Sequence, residues 1–121
     1  MGEYVRRIGR QAPCSVAGGL PAPAADSRLW LLDRSRGAEV LSSEQLAAKL
    51  GRLRDEGTRV LDILIGGPDG FPPEALSRLR PALRWSFGPL TLPHELAAVV
   101  AAEQVYRAFT ILSGAPYHLG H

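Results

Sequence analysis

The chain has 121 residues, of which 45% are hydrophobic and 21% are charged, and its formal net charge is +2. This length supports one hydrophobic core and is short for two, so we expect a single compact domain. The balanced composition argues against a collagen-like or disordered chain, the single cysteine, Cys14, excludes an internal disulfide framework, and so small a positive charge is only a weak indication of nucleic-acid binding.

The N-terminal segment MGEYVRRIGR has no apolar core of a secretory signal. Its pattern predicts a short helix over residues 3–8, with Tyr4, Val5 and Ile8 on one side. The longest apolar run, LAAVVAA at 96–102, is far shorter than a bilayer requires. These features predict a soluble, cytoplasmic protein.

Two strands are predicted before the first long helix. CSVAGG at 14–19 is a candidate strand, followed by a loop at 20–26. RLWLLD at 28–33 is a stronger one and is apolar on both faces, which is typical of a strand in a parallel sheet.

The next segment, LSSEQLAAKL, has a well-defined helix start. Ser42 can cap the amide of Gln45, Gln45 can reach back, and Leu41 can pack on Leu46 as a hydrophobic staple. Gly57 ends the predicted helix. The buried stripe is predicted to comprise Leu46, Leu50 and Leu53.

The second half of the chain predicts two more strands and two more helices. VLDILIGG at 60–67 and LRWSFG at 83–88 are the strands, PPEALSRL at 72–79 is a short helix, and the last helix begins after Pro93 and runs to about Ser113. A strand–helix–strand order implies parallel pairing. We therefore expect an α/β fold with a mostly parallel sheet.

Ligands of parallel sheets bind outside the carboxyl ends of the strands, so three loops are candidates for a site. They are DRSRG at 33–37, GGPDG at 66–70 and GPLTLPH at 88–94. GGPDG is also ordinary turn chemistry. GPLTLPH is more informative, because two leucines between prolines can line an apolar pocket while backbone groups serve its polar edge.

The last helix is apolar around most of its circumference near 96–102. Such a helix needs burial on two sides, by its own sheet and by a second copy of the chain, which predicts a homodimer. Glu103 and Arg107 are four residues apart and are expected to pair along the helix. Trp30 and Trp85 are expected in the core.

The three histidines, His94, His118 and His121, lie on different segments, so no metal site is predicted. No serine occupies a nucleophile elbow. Tyr117 and His118, close to the C-terminus, are either part of a tail or part of a site.

The joint order of LLD, LIGGPDG, a Trp-Ser strand, LTLPH and EQVYRAFTILSGAPYH resembles the ribosomal RNA large subunit methyltransferase H family of the SPOUT superfamily. The resemblance covers residues 28–118. It implies an α/β fold with a C-terminal trefoil knot, a homodimer, and transfer of methyl from S-adenosylmethionine to N3 of a pseudouridine in 23S rRNA.

The resemblance also implies roles for particular residues. Tyr117 and His118 would approach the cofactor pocket of the partner subunit and seat the target base, whose imide N–H must lose a proton. His118 would act either as the base or as an orienting group. The cofactor would lie against Leu32, Gly67, Gly88, Pro89, Leu90, Thr91, Leu92 and Pro93.

The sequence also departs from the family pattern. It begins at the EYVRR helix rather than at a preceding strand, carries GLPAPAAD where the family has a helical segment, and has Leu119 where a cation is common. We therefore expect one SPOUT-like domain of reduced size over 1–121, with a shortened part at 1–27, a knotted core at 28–118 and a tail at 119–121. A non-catalytic or degenerate SPOUT dimer, binding S-adenosylmethionine or inactive through its N-terminal shortening, is the alternative hypothesis.

Overall fold

The computed structural model describes residues 2–8, 26–33, 37–66, 71–88 and 92–114. The predicted strand at 14–19 and the C-terminal segment of the expected knot, 115–118, lie outside these ranges. The elements in chain order are α1 (Gly2–Ile8), β1 (Ser27–Leu32), β2 (Glu39–Val40), α2 (Ser43–Asp55), β3 (Val60–Ile65), α3 (Pro73–Leu79), β4 (Leu83–Ser86) and α4 (His94–Ser113).

The four strands form one sheet in the order β2-β4-β1-β3, and all three pairings are parallel. In the register, Ser27 stands opposite Val60 and Trp30 stands opposite both Ile63 and Leu83. The carboxyl half of β1 is buried between β3 and β4. The predicted α/β class with a parallel sheet is confirmed, and β2 is an additional strand that the sequence pattern did not predict.

The predicted start of α2 is confirmed atom by atom. The Ser42 hydroxyl accepts a hydrogen bond from the Gln45 N–H at 3.1 Å, and the Gln45 side-chain oxygen accepts one from the Ser42 N–H at 2.8 Å. The helix ends at a cap on Glu56, followed by Gly57 at a φ of +80°. Leu46 and Leu50 are buried as expected, whereas Leu53 is only half-buried.

The core lies between the sheet and a helical layer in which α4 contacts both α1 and α2. Gly51 of α2 lies so near α4 that a Cβ there would stand 3.2 Å from the Leu112 side chain. Trp30 and Trp85 are both buried and meet edge to face at 6.2 Å, which confirms their predicted core role. The residues that α4 buries are Ala97, Ala101, Val105, Ala108 and Thr110.

α1 is attached to α4 through an aromatic and cationic cluster. The rings of Tyr4 and Tyr106 lie 6.3 Å apart, and the Arg7 guanidinium lies 6.0 Å and 5.7 Å from them. Glu3 pairs with Arg6 and Arg7. The hydrogen bond from Arg6, followed by the charge of Arg7, holds the pKa of the Glu3 carboxyl below its usual value.

By length and composition alone, α4 could cross a membrane, since it has 20 residues and an 18-residue window within it has a mean hydropathy of 1.2. The prediction from the sequence rested on the shorter apolar run at 96–102, which is too short to cross a bilayer. A core helix of a soluble protein has the same length and hydropathy, and α4 packs against α1, α2 and β3. The hydropathy of this helix is therefore a weak indication of a membrane span.

Candidate functional site

The three longest strands of the sheet end side by side, and the end of the sheet formed by their carboxyl termini is called the carboxyl edge. Leu32, Ile65 and Ser86 close β1, β3 and β4, and parallel pairing places their carboxyl ends side by side. Two backbone hydrogen bonds join the residues beyond them. The Gly66 N–H donates to the Leu32 carbonyl at 2.9 Å, and the Asp33 N–H donates to the Trp85 carbonyl at 2.7 Å. The predicted ligand loops therefore begin next to each other.

Gly66 allows the second loop to leave β3 next to β1. A Cβ at this position would lie 2.8 Å from the Phe71 ring and 3.0 Å from the Leu32 carbonyl oxygen, so only glycine fits without a shift. Phe71 is the first described residue after 67–70. Gly66 and Phe71, which flank this segment, are therefore close together, and Gly66 lies beside β1.

Gly88 begins the third loop and has a different environment. Its φ is +90°, and a Cβ built there would meet no atom of the described residues within 4 Å. The buried Ser86 hydroxyl accepts from the Gly88 N–H at 3.0 Å and donates to the Gly88 carbonyl at 3.4 Å, which holds this turn. Since glycine has no side chain of its own, a ligand could approach the Gly88 backbone closely from the side where no described residue lies.

Asp33 and Arg84 form an ion pair at the same edge that the sequence analysis did not identify. The Asp33 side chain is fully buried, whereas the Arg84 side chain is 26% exposed. The Nε and Nη2 atoms of Arg84 each lie 3.3 Å from one Asp33 carboxylate oxygen. In the sequence, Asp33 is recognisable only as an acidic residue directly after an apolar strand, and this pattern does not identify Arg84 as its partner.

The structure places four of the predicted site residues. Leu32 and Gly88 are at the carboxyl edge, Leu92 packs against the core, and Pro93 is the exposed residue that precedes α4. The other six predicted site residues lie outside the described residues, so their grouping stays a prediction. These are Gly67, Pro89, Leu90, Thr91, Tyr117 and His118.

Two further observations concern other kinds of site. In the part of the chain that the structure describes, no three His, Cys, Asp or Glu side chains are grouped so that they could hold a metal ion. A cleft of about 190 Å³ runs beneath the carboxyl half of α2, between Trp30, Arg52 and Leu83. Because Leu83 begins β4, this cleft lies toward the amino end of that strand, away from the candidate edge.

Glu103 and Arg107 pair along α4 as predicted. Arg107 Nε and Nη2 donate to the same Glu103 oxygen at 3.0 Å and 2.6 Å. Gln104 donates to the other Glu103 oxygen at 2.8 Å and lies 3.3 Å from the Ser43 hydroxyl of α2. The polar side chains of α4 therefore form a network that links two helices.

Comparison with known proteins yields one family and a consistent set of relatives. A family model described as predicted SPOUT methyltransferase matches residues 19–118. A protein of Koribacter versatilis is 42% identical over an alignment of 132 positions, which takes in 99% of this chain and 86% of the relative. It is named ribosomal RNA large subunit methyltransferase H.

Proteins of the same name from Brucella ovis and Magnetococcus marinus are also similar. The first is 46% identical over 116 residues, covering 96% of this chain and 65% of the relative. The second is 48% identical over 94 residues, covering 77% of this chain and 57% of the relative. The chain thus spans less than two thirds of the length of these two relatives.

Proposed function

The chain belongs to the SPOUT methyltransferase family, and we propose on this premise that it transfers a methyl group from S-adenosylmethionine to ribosomal RNA. One observation carries the proposal. The similarity to a protein named ribosomal RNA large subunit methyltransferase H extends over 99% of this chain at 42% identity, so it includes all three loops at the carboxyl edge.

The described residues fit a cofactor at this edge. Among the described residues none would lie within 4 Å of a Cβ on Gly88, and the apolar members of the proposed pocket are the buried Leu32 at the end of β1 and the half-buried Leu92. Backbone polar groups beside leucines suit a ligand with both an adenine ring and a charged tail. S-adenosylmethionine supplies a methyl group activated by a sulfonium. In the proposal, Gly67 and the run from Pro89 to Pro93 complete the pocket.

The proposed target is N3 of a pseudouridine in 23S rRNA, and Tyr117 and His118 are proposed to act on it. The imide nitrogen carries a proton that must leave before the nitrogen can accept a methyl group. A neutral imidazole near pH 7 can take or orient this proton. Tyr117 is proposed to hold the base so that its nitrogen faces the methyl carbon, because alignment supplies much of the acceleration in such a transfer.

A homodimer in the cytoplasm is the proposed working form. The first turns of α4 leave Leu96 47% exposed and Val99 and Val100 half-buried in a single chain. A second copy of the chain would cover this apolar surface. Tyr117 and His118 of one copy are then proposed to serve the cofactor pocket of the other.

The activity is tested by His118→Ala, with His121→Ala as the matched control. We expect methyl transfer to ribosomes that lack the modification to fall about 10²-fold or more in His118→Ala, the usual contribution of a general base or acid. Binding of S-adenosylmethionine, measured by isothermal titration, should stay unchanged in both variants. Full activity in His118→Ala would remove this residue from the mechanism.

Titration of the wild-type protein with S-adenosylmethionine separates the two hypotheses of function. Saturable binding near one per chain together with methyl transfer supports the enzyme. Binding without transfer to any ribosomal substrate would favour the alternative, a SPOUT dimer that only binds the cofactor. No detectable binding, with no competition by S-adenosylhomocysteine, would overturn the proposed cofactor site.

A further inference from the structure

We propose that the Arg84–Asp33 ion pair holds Asp33 and Gly37, the two described ends of the loop at 33–37, where the cofactor pocket requires them, which makes the Arg84 and Asp33 side chains positioning residues for the methyl donor. This inference rests on the proposed function, since it assumes that S-adenosylmethionine binds at the carboxyl edge. Its basis is a set of contacts that Arg84 and its neighbour Trp85 make with described residues.

Arg84 lies against both ends of the loop. Its Nε and Nη2 atoms reach Asp33 at 3.3 Å, and its Nη1 atom lies 3.2 Å from where a Cβ on Gly37 would be. Gly37 has a φ of +96°, a conformation that side chains disfavour. One guanidinium from β4 therefore touches the residue where the loop leaves β1 and the residue where it approaches β2.

Asp33 is also fixed through its backbone, directly after the proposed cofactor residue Leu32. The Asp33 N–H donates to the Trp85 carbonyl at 2.7 Å, and Trp85 is the next residue after Arg84. Trp85 in turn stands opposite Glu39 of β2. Consecutive residues of β4 thus hold the start of the loop and the strand that follows it.

The buried charge of Asp33 restricts where its carboxylate can lie relative to Arg84. A fully buried carboxylate is costly unless a cation and hydrogen bonds compensate it, so Asp33 is held where Arg84 can reach it. The guanidinium is planar and presents its donors in fixed directions. A lysine at this position would keep the charge but lose the second donor and the contact geometry.

If the ion pair contributed only to stability, its loss would lower the free energy of unfolding of the whole domain. If it positions the ends of the loop, its loss should first change hydrogen exchange at Asp33 and Gly37 and the Kd for the cofactor. Loss of the Asp33 charge should leave the sheet pairing of β1 with β3 intact, because that pairing uses backbone groups. Asp33, directly after Leu32, would no longer be held against β4 by its side chain. A loop end that is not held in advance must be ordered when the ligand binds, and this entropy cost weakens the affinity.

The test compares Asp33→Asn, Arg84→Lys and the control Asp26→Asn in the full chain. Asp26 precedes the other end of β1 and also faces an arginine, Arg59, at 3.8 Å, but the two side chains are 50% and 82% exposed. Hydrogen exchange of the Asp33 and Gly37 amides is measured without cofactor. The Kd for S-adenosylmethionine is measured by isothermal titration, and folding by circular dichroism.

We expect Asp33→Asn to accelerate exchange at both amides and to raise the Kd for S-adenosylmethionine about 10-fold, which corresponds to about 1.4 kcal/mol of binding free energy. Arg84→Lys should give a smaller change in the same direction, and Asp26→Asn should resemble the wild type in both measurements. If Asp33→Asn does not fold, Arg84→Lys decides, because the Arg84 side chain is partly exposed and tolerates replacement more readily.

Wild-type binding together with unchanged Kd values in the folded variants would overturn this inference and leave the proposed function standing. An equal loss of affinity in Asp26→Asn would also overturn it, because the effect would then be general destabilisation of β1. Failure of the wild-type protein to bind S-adenosylmethionine would instead overturn the proposed function, and with it the assignment of a ligand to this loop.

Discussion

At the scale of single residues, the packing at the carboxyl edge depends on Gly66, whose backbone conformation is one that any residue can adopt. Gly66 needs no left-handed φ, but it lies where two strands and an aromatic ring meet. The Phe71 ring approaches it from the far side of the GGPDG loop, and the Leu32 carbonyl approaches it from β1. Space, not backbone conformation, therefore restricts this position to glycine.

Gly66→Ala should lower the free energy of unfolding by about 1–3 kcal/mol, because the added methyl group overpacks the contact with Phe71. The control is the same substitution in a Phe71→Ala background, where the ring is absent. We expect the cost of Gly66→Ala to fall by about 1 kcal/mol there, since residues in contact are energetically coupled. Urea denaturation of the four proteins measures this coupling, and equal costs in both backgrounds would contradict the packing argument.

At the scale of elements, features with local causes were predictable and those with distant causes were not. The capping box of α2 was predicted correctly because all its atoms come from residues 42–45. β2 was missed because its two residues are a strand only by pairing with Trp85 and Ser86 of β4. β4 was expected to reach Gly88 but ends at Ser86, since the φ of +90° at Gly88 is incompatible with an extended strand.

The same contrast holds for the site. The starting points of the three loops were predictable because strand ends follow from the hydrophobic pattern, and Leu32 and Gly88 lie at the carboxyl edge, while the role of these loops in a site stays a prediction. The pairing of Asp33 with Arg84 could not be predicted. It joins residues of two different strands, and their adjacency depends on β4 pairing with β1 rather than with β3.

Ser42→Ala should lower the free energy of unfolding by about 1 kcal/mol, because the N–H of Gln45 loses its acceptor at the start of α2. Ser77→Ala is the matched control, since Ser77 is an exposed serine inside α3. Its replacement should be neutral or slightly stabilising, because alanine has the higher helix propensity. Equal stability of Ser42→Ala and the wild type in urea would show that the cap contributes nothing.

At the scale of the whole molecule, α4 connects the described core to the proposed dimer. Its small buried side chains allow close packing with α2, while Leu96 stays exposed in a single chain. The apolar character of α4 thus has two explanations at different positions. Ala101 and Ala108 are buried within the chain, whereas Leu96 is proposed to be covered by a second copy.

Leu96→Glu should convert the proposed dimer into a monomer at micromolar concentration, as measured by light scattering. A charge in the middle of an apolar contact is costly, yet glutamate in the first turn of a helix is favourable, so α4 itself should stay folded. Val60→Glu is the control, because Val60 on β3 is 48% exposed and Leu96 is 47% exposed. A wild-type monomer, or a Leu96→Glu dimer, would contradict the proposed interface.

The sheet order also determines when this protein can fold during its own synthesis. β1 is the first described strand to be made, yet it takes a central position whose neighbours, β3 and β4, come much later in the chain. Pairing over such separations is slow, because a long loop must close before any contact forms. The sheet therefore cannot be completed until Ser86 has emerged from the exit tunnel, and until then the apolar strand Ser27–Leu32 is a potential site for chaperone binding or aggregation.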